Sequence, residues 1–269
     1  MIILNYRQII EECVNLNIEK EAIDLLIMEK LNIKRYELVL RLNEEINSNI
    51  LEDINKLKQG IPVQYILGYT YFYKSKFIVN PNVLIPRFDT EVLIDETLKI
   101  IDTFNNQNLK IVDIGTGSGC IAISLKKERP FLDIYAIDIS RDALDVAKQN
   151  AEKNNTNINF IHNDLLNNIN TKFDIIVSNP PYIDINENID ELVRNNEPHL
   201  ALFSQNFGLY HYEQILIQSK YNLNNKGVII FEIPSNRDEE ILSLVNKYYS
   251  NISIIKDYNN LSRVLIIRS

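Results

Sequence analysis

From about Glu91 onward the chain alternates short apolar runs with helical spans, and this rhythm restricts the fold more than any other feature. The runs Lys110–Ile114, Ile134–Ile137, Ile158–Ile161, Ile175–Val177, Val228–Phe231, Ile252–Ile255 and Val264–Ile267 read as strands, with helices such as Cys120–Lys127 and Arg141–Lys153 between the early ones. Strands that alternate with helices join in parallel, and a parallel sheet needs both faces covered. The expectation is an α/β fold built on a mostly parallel, doubly wound, seven-stranded sheet. The last two runs lie close together in sequence, which leaves room for one antiparallel strand.

Ahead of that rhythm the pattern differs. Tyr6, Ile9, Ile10 and Cys13 share one helical face, and Ala22, Leu25 and Leu26 continue a second helix. Tyr36, Leu38-Val39-Leu40 and Ile46 suggest a third; Ile50, Ile54 and Leu57 suggest a fourth, capped by Asn47-Ser48-Asn49 and ended by Gly60. Around Tyr69 to Val79 the aromatic residues Tyr71 and Tyr73 flank Lys74-Ser75-Lys76 as in a β-hairpin. The expected organisation is a small helical domain over 1–68, a β-hairpin linker over 69–80 and the α/β domain over 81–269.

Composition narrows the classes. A hydrophobic content of 45% with 24% charged residues excludes a disordered chain. The net charge of −8 argues against free nucleic acid as the main partner. Cys13 and Cys120 are far apart and form no disulfide framework, which fits a reducing, cytoplasmic setting. Polar residues interrupt Met1 to Cys13, unlike a signal peptide or a membrane span. His162, His199 and His211 are scattered without metal-ligand spacing, so no metal is expected.

Three of the seven glycines fall in Asp113-Ile114-Gly115-Thr116-Gly117-Ser118-Gly119-Cys120, a strand end, a turn and a helix start. The spacing is GxGxG rather than the GxGxxG of dinucleotide folds, and Asp113 sets a negative charge beside the loop. A carboxylate there repels phosphate and attracts a cation, so Asp113 and Thr116 suit an ammonium or sulfonium ligand such as S-adenosylmethionine. Asp138 ends the next strand, where an acid commonly takes both ribose hydroxyls. Asn163-Asp164 follows the third strand and is placed to meet the amino edge of the adenine. Ligands of such sheets sit at the carboxyl ends of the strands, where all these residues lie.

Asn179-Pro180-Pro181-Tyr182 follows the fourth strand and shares that rim. Two prolines stop the strand and restrict the residues before them, leaving a stiff loop with an amide at its base and an aromatic ring at its tip. Rigid acceptors beside an aromatic wall suit a planar, nitrogen-bearing target.

With these residues in place the chain resembles the class I, Rossmann-like S-adenosylmethionine-dependent methyltransferases that modify planar nitrogens, and among them the release factor glutamine N5-methyltransferases. Gly60-Ile61-Pro62-Val63-Gln64-Tyr65-Ile66-Leu67-Gly68, Ile85-Pro86-Arg87-Phe88-Asp89-Thr90-Glu91 and Glu197-Pro198-His199-Leu200-Ala201-Leu202 match that family's signatures. The chain departs from it at Phe88, at Ser204-Gln205 and at Pro234-Ser235-Asn236-Arg237, none of which is expected to touch the glycine loop, Asp138 or the Asn179 loop.

The resemblance implies methyl transfer to the glutamine of a release factor's Gly-Gly-Gln motif, leaving S-adenosylhomocysteine. Asn179 and Pro180 would accept the amide N–H bonds and Tyr182 would wall the glutamine in, with Pro181 completing the substrate loop. Asp113, Gly115, Thr116, Gly117, Ser118, Gly119, Asp138, Asp164, Leu165 and Asn179 would hold the cofactor, and the helical domain would dock the substrate. Arg87 is open to a substrate contact or an ion pair with Asp89 or Glu91. The main rival is a DNA or RNA base N-methyltransferase using the same loop, which would call for a basic groove or a target-recognition domain. GxGxG with Asp113 disfavours a nicotinamide-dependent oxidoreductase, and intact Asn179 and Asp138 argue against a catalytically dead scaffold.

Overall fold

The structure is a computed structural model describing residues 4–105 and 108–269. It divides into two compact units, one formed by the N-terminal residues to Tyr69 together with 190–196, the other by 70–189 and 197–269.

The helical unit contains α1 (Tyr6–Asn15), α2 (Lys20–Leu31), α3 (Arg35–Leu40), α4 (Ser48–Lys58) and α5 (Val63–Leu67). Asn5 and Gln8 close a reciprocal capping box at α1, with bonds of 2.9 and 3.0 Å that satisfy two otherwise orphan N–H groups. The predicted stripe of Tyr6, Ile9, Ile10 and Cys13 is buried and packs with Ile23, Leu26, Ile50, Ile54 and Leu57. The third helix is shorter than its spacing predicts. It ends at Leu40, so Ile46 reaches the core from the segment after it, where Asn5 and Glu45 form a bridge. Tyr36, Val39 and Leu40 consequently stand exposed, and Leu38 alone of that run is buried. Asn47 caps α4 through Asn49 N at 3.0 Å. Gly60 follows in a left-handed conformation, φ +87°, and Asn196 donates to its carbonyl at 3.0 Å.

The second unit opens with a hairpin of β1 (Tyr69–Phe72) and β2 (Ser75–Ile78). Its turn lies at Tyr73-Lys74, one residue earlier than the lysine pattern suggests. Both turn residues have positive φ, as a two-residue turn matched to strand twist requires. Then follow α6 (Thr90–Ile101), β3 (Lys110–Ile114), α7 (Cys120–Glu128), β4 (Asp133–Asp138), α8 (Arg141–Lys153), β5 (Asn159–His162) and β6 (Phe173–Ser178). After these come β7 (Ile183–Asp184), then α9 (Glu191–Asn196), which belongs to the helical unit, and then α10 (His199–Leu202), β8 (Phe203–Ser204), α11 (Tyr210–Asn222), β9 (Leu223–Glu232), α12 (Asp238–Val245), β10 (Asn251–Lys256) and β11 (Ser262–Arg268).

The main sheet has seven strands in the order β10-β11-β9-β6-β3-β4-β5, as the sequence rhythm predicts. β11 runs antiparallel to both its neighbours and the other pairings are parallel. The continuous apolar strands follow from double-sided burial. Along β3 and β6, Ile111, Ile175 and Val177 enter the core on one face, while Val112, Ile114 and Ile176 enter the core on the other. The chain order reverses beside β3, and the crevice outside the carboxyl ends of β3, β4 and β6 opens at that switch point. Among the described residues no helix is long and apolar enough to cross a membrane.

Candidate functional site

The carboxyl ends of these strands surround one cavity in the second unit. Gly115, Thr116, Gly117, Ser118, Asp138, Asp164, Leu165, Asn179, Pro180 and Pro181 all line it, so most residues singled out in the sequence meet there. Asp113, Gly119 and Tyr182 lie outside that lining.

The glycine loop explains part of this division. Gly115 and Gly117 have φ of +71° and +54°, and a Cβ added to either would meet nothing within 4 Å among the described residues. They face open space, so bare backbone is offered to a ligand. Gly119 is different: an added Cβ would come within 3.2 Å of the Ala147 Cβ, so this glycine serves the packing of α7 on α8. Asp113 turns beneath the loop. Its Oδ2 accepts from Thr116 Oγ1 at 2.6 Å and from Ala122 N at 3.3 Å, while Oδ1 is buried without a partner among the described residues. Burial pushes its carboxyl up to about 7, against the lowering effect of the Thr116 and Ala122 bonds. The Thr116 hydroxyl is thereby spent on holding the loop.

Asp138 faces the cavity. Its Oδ2 accepts from Gly117 N at 2.8 Å and its Oδ1 from Ser140 N at 2.9 Å. Burial raises its pKa, opposed by backbone N–H groups of Ser140, Gly117 and Ile139. Each carboxylate oxygen keeps acceptor capacity, so the pair can receive two neighbouring hydroxyls. Asn163 braces its own loop by donating to the carbonyls of Leu165 and Asn167 at 3.0 and 2.9 Å, and Leu165 has φ +49°. Asp164 stays at the cavity wall and accepts from Asn167 Nδ2 at 3.0 Å. Between the acids the walls are apolar, with Ile114, Ile121, Ile137 and Ile139 contributing. An apolar slot flanked by carboxylates, with bare glycine backbone at one end, fits a nucleoside carrying a cationic tail.

On the far side, Ser178 Oγ donates to Ile114 O at 2.7 Å and locks the end of β6 to β3. Asn179 and Pro180 then enter the lining, and among the described residues no peptide bond is cis. Tyr182 packs against the core cluster below β6 and β9, with its phenol pKa raised by burial. Beyond it, β7 and β8 pair in parallel, Ile183 with Phe203 and Asp184 with Ser204.

Three features of this side were not read from the sequence. Arg237 reaches the loop: its Nη1 donates to Tyr182 O at 3.0 Å, its Nη2 donates to Phe207 O, and Glu240 holds the guanidinium at 2.5 Å. The departure at 234–237 therefore does touch the Asn179 loop. Gly208 lies against the same carbonyl; a Cβ there would sit 2.1 Å from Tyr182 O. Arg87, finally, pairs with the buried Glu197 rather than with Asp89 or Glu91, joining two of the quoted signature segments. Asp89 instead meets Arg263 at 3.1 Å, and Glu91 accepts from Tyr73 N at 2.9 Å.

Behind Asn179, the carboxylate of Glu232 is buried at the end of β9. Burial pushes it up to about 7, partly offset by hydrogen bonds from Thr90 and Asn179 and by the charge of Arg263. His211 also lines the cavity, its Nδ1 2.7 Å from Ser204 Oγ and its pKa lowered by burial. Cys120 is buried and its thiol is pushed up to about 12 by burial, as suits a packed apolar residue. Among the described residues no group of three or more His, Cys, Asp or Glu could hold a metal ion.

Residues 90–201 match the family described as Methyltransferase small domain, and residues 8–68 match the PrmC N-terminal domain. A release factor glutamine methyltransferase of Flavobacterium psychrophilum is 41% identical, covering 97% of this chain and 97% of that protein. Another, of Francisella tularensis, is 40% identical over 91% of this chain and 88% of its own length. Among solved structures, a methyltransferase from Pyrococcus furiosus superposes with a TM-score of 0.53 at 18% identity, over 82% of this chain and 98% of that one.

Proposed function

The chain belongs to the family of release factor glutamine methyltransferases, and we propose that it transfers the methyl group of S-adenosylmethionine to the side-chain amide nitrogen of the glutamine in a release factor's Gly-Gly-Gln motif. The observation that carries this reading is the meeting of two chemistries in one cavity, a nucleoside slot over Gly115–Ser118 and Asp138 and an amide-acceptor loop at Asn179 and Pro180.

When bound, S-adenosylmethionine supplies an electrophilic methyl group on a sulfonium. The residues that would hold it are Gly115, Gly117, Asp138, Asp164 and Leu165, with Asp113 acting from beneath through the loop. A glutamine amide is a weak nucleophile because its lone pair is delocalised into the carbonyl. Asn179 Oδ1 and the Pro180 carbonyl would accept its two N–H bonds, fix the nitrogen and favour the geometry of transfer. Tyr182 supports that loop from behind through its own carbonyl. The methylated nitrogen is strongly acidic and releases its proton to solvent, so no dedicated base is required. We assign substrate docking to the helical unit and a cytoplasmic setting to the reaction.

Incubation with methyl-labelled S-adenosylmethionine and a release factor, duplex DNA or ribosomal RNA tests the assignment. Label recovered as N5-methylglutamine is the expected outcome; label confined to nucleic acid overturns it.

A further inference from the structure

We propose that Glu232 is a positioning residue of the methyl-acceptor site: its buried carboxylate holds the Asn179 carboxamide with Nδ2 turned inward and Oδ1 presented to the substrate amide. The inference rests on the function proposed above and gives a role to a residue that this function does not itself use.

Sheet register brings the two side chains together. Ser178 on β6 pairs with Phe231 on β9, so Asn179 and Glu232 occupy the next, adjacent positions at the ends of these strands. Glu232 is only 3% exposed. Thr90 and Asn179 both direct side-chain hydrogen bonds at its carboxylate, and Asn179 Nδ2 lies 3.4 Å from Thr90 Oγ1. A carboxylate only accepts, whereas a carboxamide has one donor end and one acceptor end. With Nδ2 donating to Thr90, the amide turns its donor end toward Glu232; the flipped amide would set Oδ1 against a carboxylate oxygen. The planar group then carries Oδ1 away from Glu232. Asn179 and Thr90 line the cavity and Glu232 lies outside that lining, so the carboxylate acts through its neighbours.

The energetics point the same way. Glu232 Oε2 is buried without a hydrogen-bond partner among the described residues. Burial of a carboxylate with an unfilled acceptor lowers stability, and strand packing alone would be better served by an apolar side chain. The nearby cation is shared: Arg263 stands 3.1 Å from Asp89 and 3.2 Å from Asp257. What the carboxylate gains is electrostatic. As a methyl group joins the substrate nitrogen, positive charge grows there and its N–H bonds become stronger donors. In its ionised form Glu232 places a negative charge behind Asn179, which polarises the carboxamide and strengthens Oδ1 as an acceptor where that charge develops.

Steady-state kinetics with a release factor and S-adenosylmethionine test the role. Glu232→Gln preserves volume but adds a donor, so either orientation of Asn179 is held. The expected result is a kcat lower by about 10- to 100-fold, the scale on which partners of site-forming groups act. KM for the release factor and Kd for S-adenosylmethionine should stay within about threefold, because the interaction lost is one made in the transition state. An unchanged kcat overturns the proposal, and so does a loss carried by KM or by cofactor binding. A charge swap reads the same contact should the single variant not fold. Asn179→Asp sets two carboxylates face to face, and adding Glu232→Gln restores a donor–acceptor pair. The double variant is expected to be at least about tenfold faster than Asn179→Asp alone, as coupled neighbours are non-additive; an equal or slower double variant overturns the proposal. Wild-type protein that leaves the release factor unlabelled contradicts the substrate assignment. Active wild type with an equally active Glu232→Gln contradicts the Glu232 role alone.

Discussion

The two sides of the cavity are built in different ways. The side proposed to hold the cofactor is local: Gly115 and Gly117 follow β3, Asp138 ends β4 and the 163–165 turn follows β5, and their bonds stay within one loop or join strand ends that are neighbours in the sheet. Its ligand-facing groups are mostly backbone and carboxylate. The acceptor side is held from a distance. Thr90 on α6, Glu232 on β9, Arg237 before α12 and the Phe207-Gly208 turn all converge on four residues, Asn179 to Tyr182. The lesson is that binding a nucleoside needs a strand-end loop of the right shape. Aiming two acceptors at one nitrogen needs a scaffold assembled from across the domain.

The sharpest test of that contrast removes one group from each side. Asn179→Ala is expected to lower methyl transfer by about 100- to 1000-fold, as loss of one preorganised hydrogen-bonding group does, with S-adenosylmethionine affinity largely kept. Single-turnover rates and equilibrium binding measure the two effects, and near-full activity would break the acceptor assignment. Asp138→Ala should do the converse. Loss of hydrogen bonds to a charged group is expected to weaken cofactor binding by about 10- to 100-fold, with turnover at saturating cofactor little altered. A loss confined to kcat would show that the two sides are not separable.

Arg237 sharpens the comparison further. Arg237→Ala frees the Tyr182 and Phe207 carbonyls of their shared donor, and kcat is expected to fall by about 3- to 10-fold, in line with one or two hydrogen bonds. Arg237→Gln, which keeps a donor, should recover part of the loss. An unaltered Arg237→Ala rate would mean that the loop holds itself.

The smallest expected effect is on stability and comes from beneath the cofactor side. The Asp113 carboxyl is raised to about 7 by burial, so between its unfolded value near 4 and about pH 7 the folded chain keeps a proton that the unfolded chain has released. Stability is therefore lost as pH rises through that window. Asp113→Asn removes this dependence. The melting temperature of the ligand-free variant relative to wild type should rise between pH 5 and pH 8, by about 2–4 °C for each ~1 kcal/mol of the dependence removed. A difference independent of pH would show that Asp113 is not the titrating group.

Legibility in the sequence followed the same boundary. All seven strands of the main sheet stand where the apolar runs lie, and in the central strands burial on both faces writes itself as an unbroken run of Ile and Val. The loops proposed to hold the cofactor were equally visible, since a glycine turn or a strand-end acid is a local event. The helical stretch after Arg35 misled because an apolar spacing does not say where a short helix stops; the turn after Leu40 exposes Val39 and sends Ile46 inward by another route. Arg87 was visible as a charge but not as the partner of Glu197, which is 110 residues away in the chain. Glu232 carried a usable signal, a lone acid closing a ten-residue strand that is otherwise apolar toward its end, and that signal alone does not say what the acid faces.

The sequence by itself determined the sheet, its rim and the chemical character of both loops, because residue type, period and turn chemistry act over a few neighbouring positions. Only the tertiary structure decided which way the Asn179 amide is held, what fixes the Tyr182 carbonyl and that Asp113 works from below the loop. Those outcomes depend on contacts between residues 55 and 89 positions apart, and on burial that no single segment encodes.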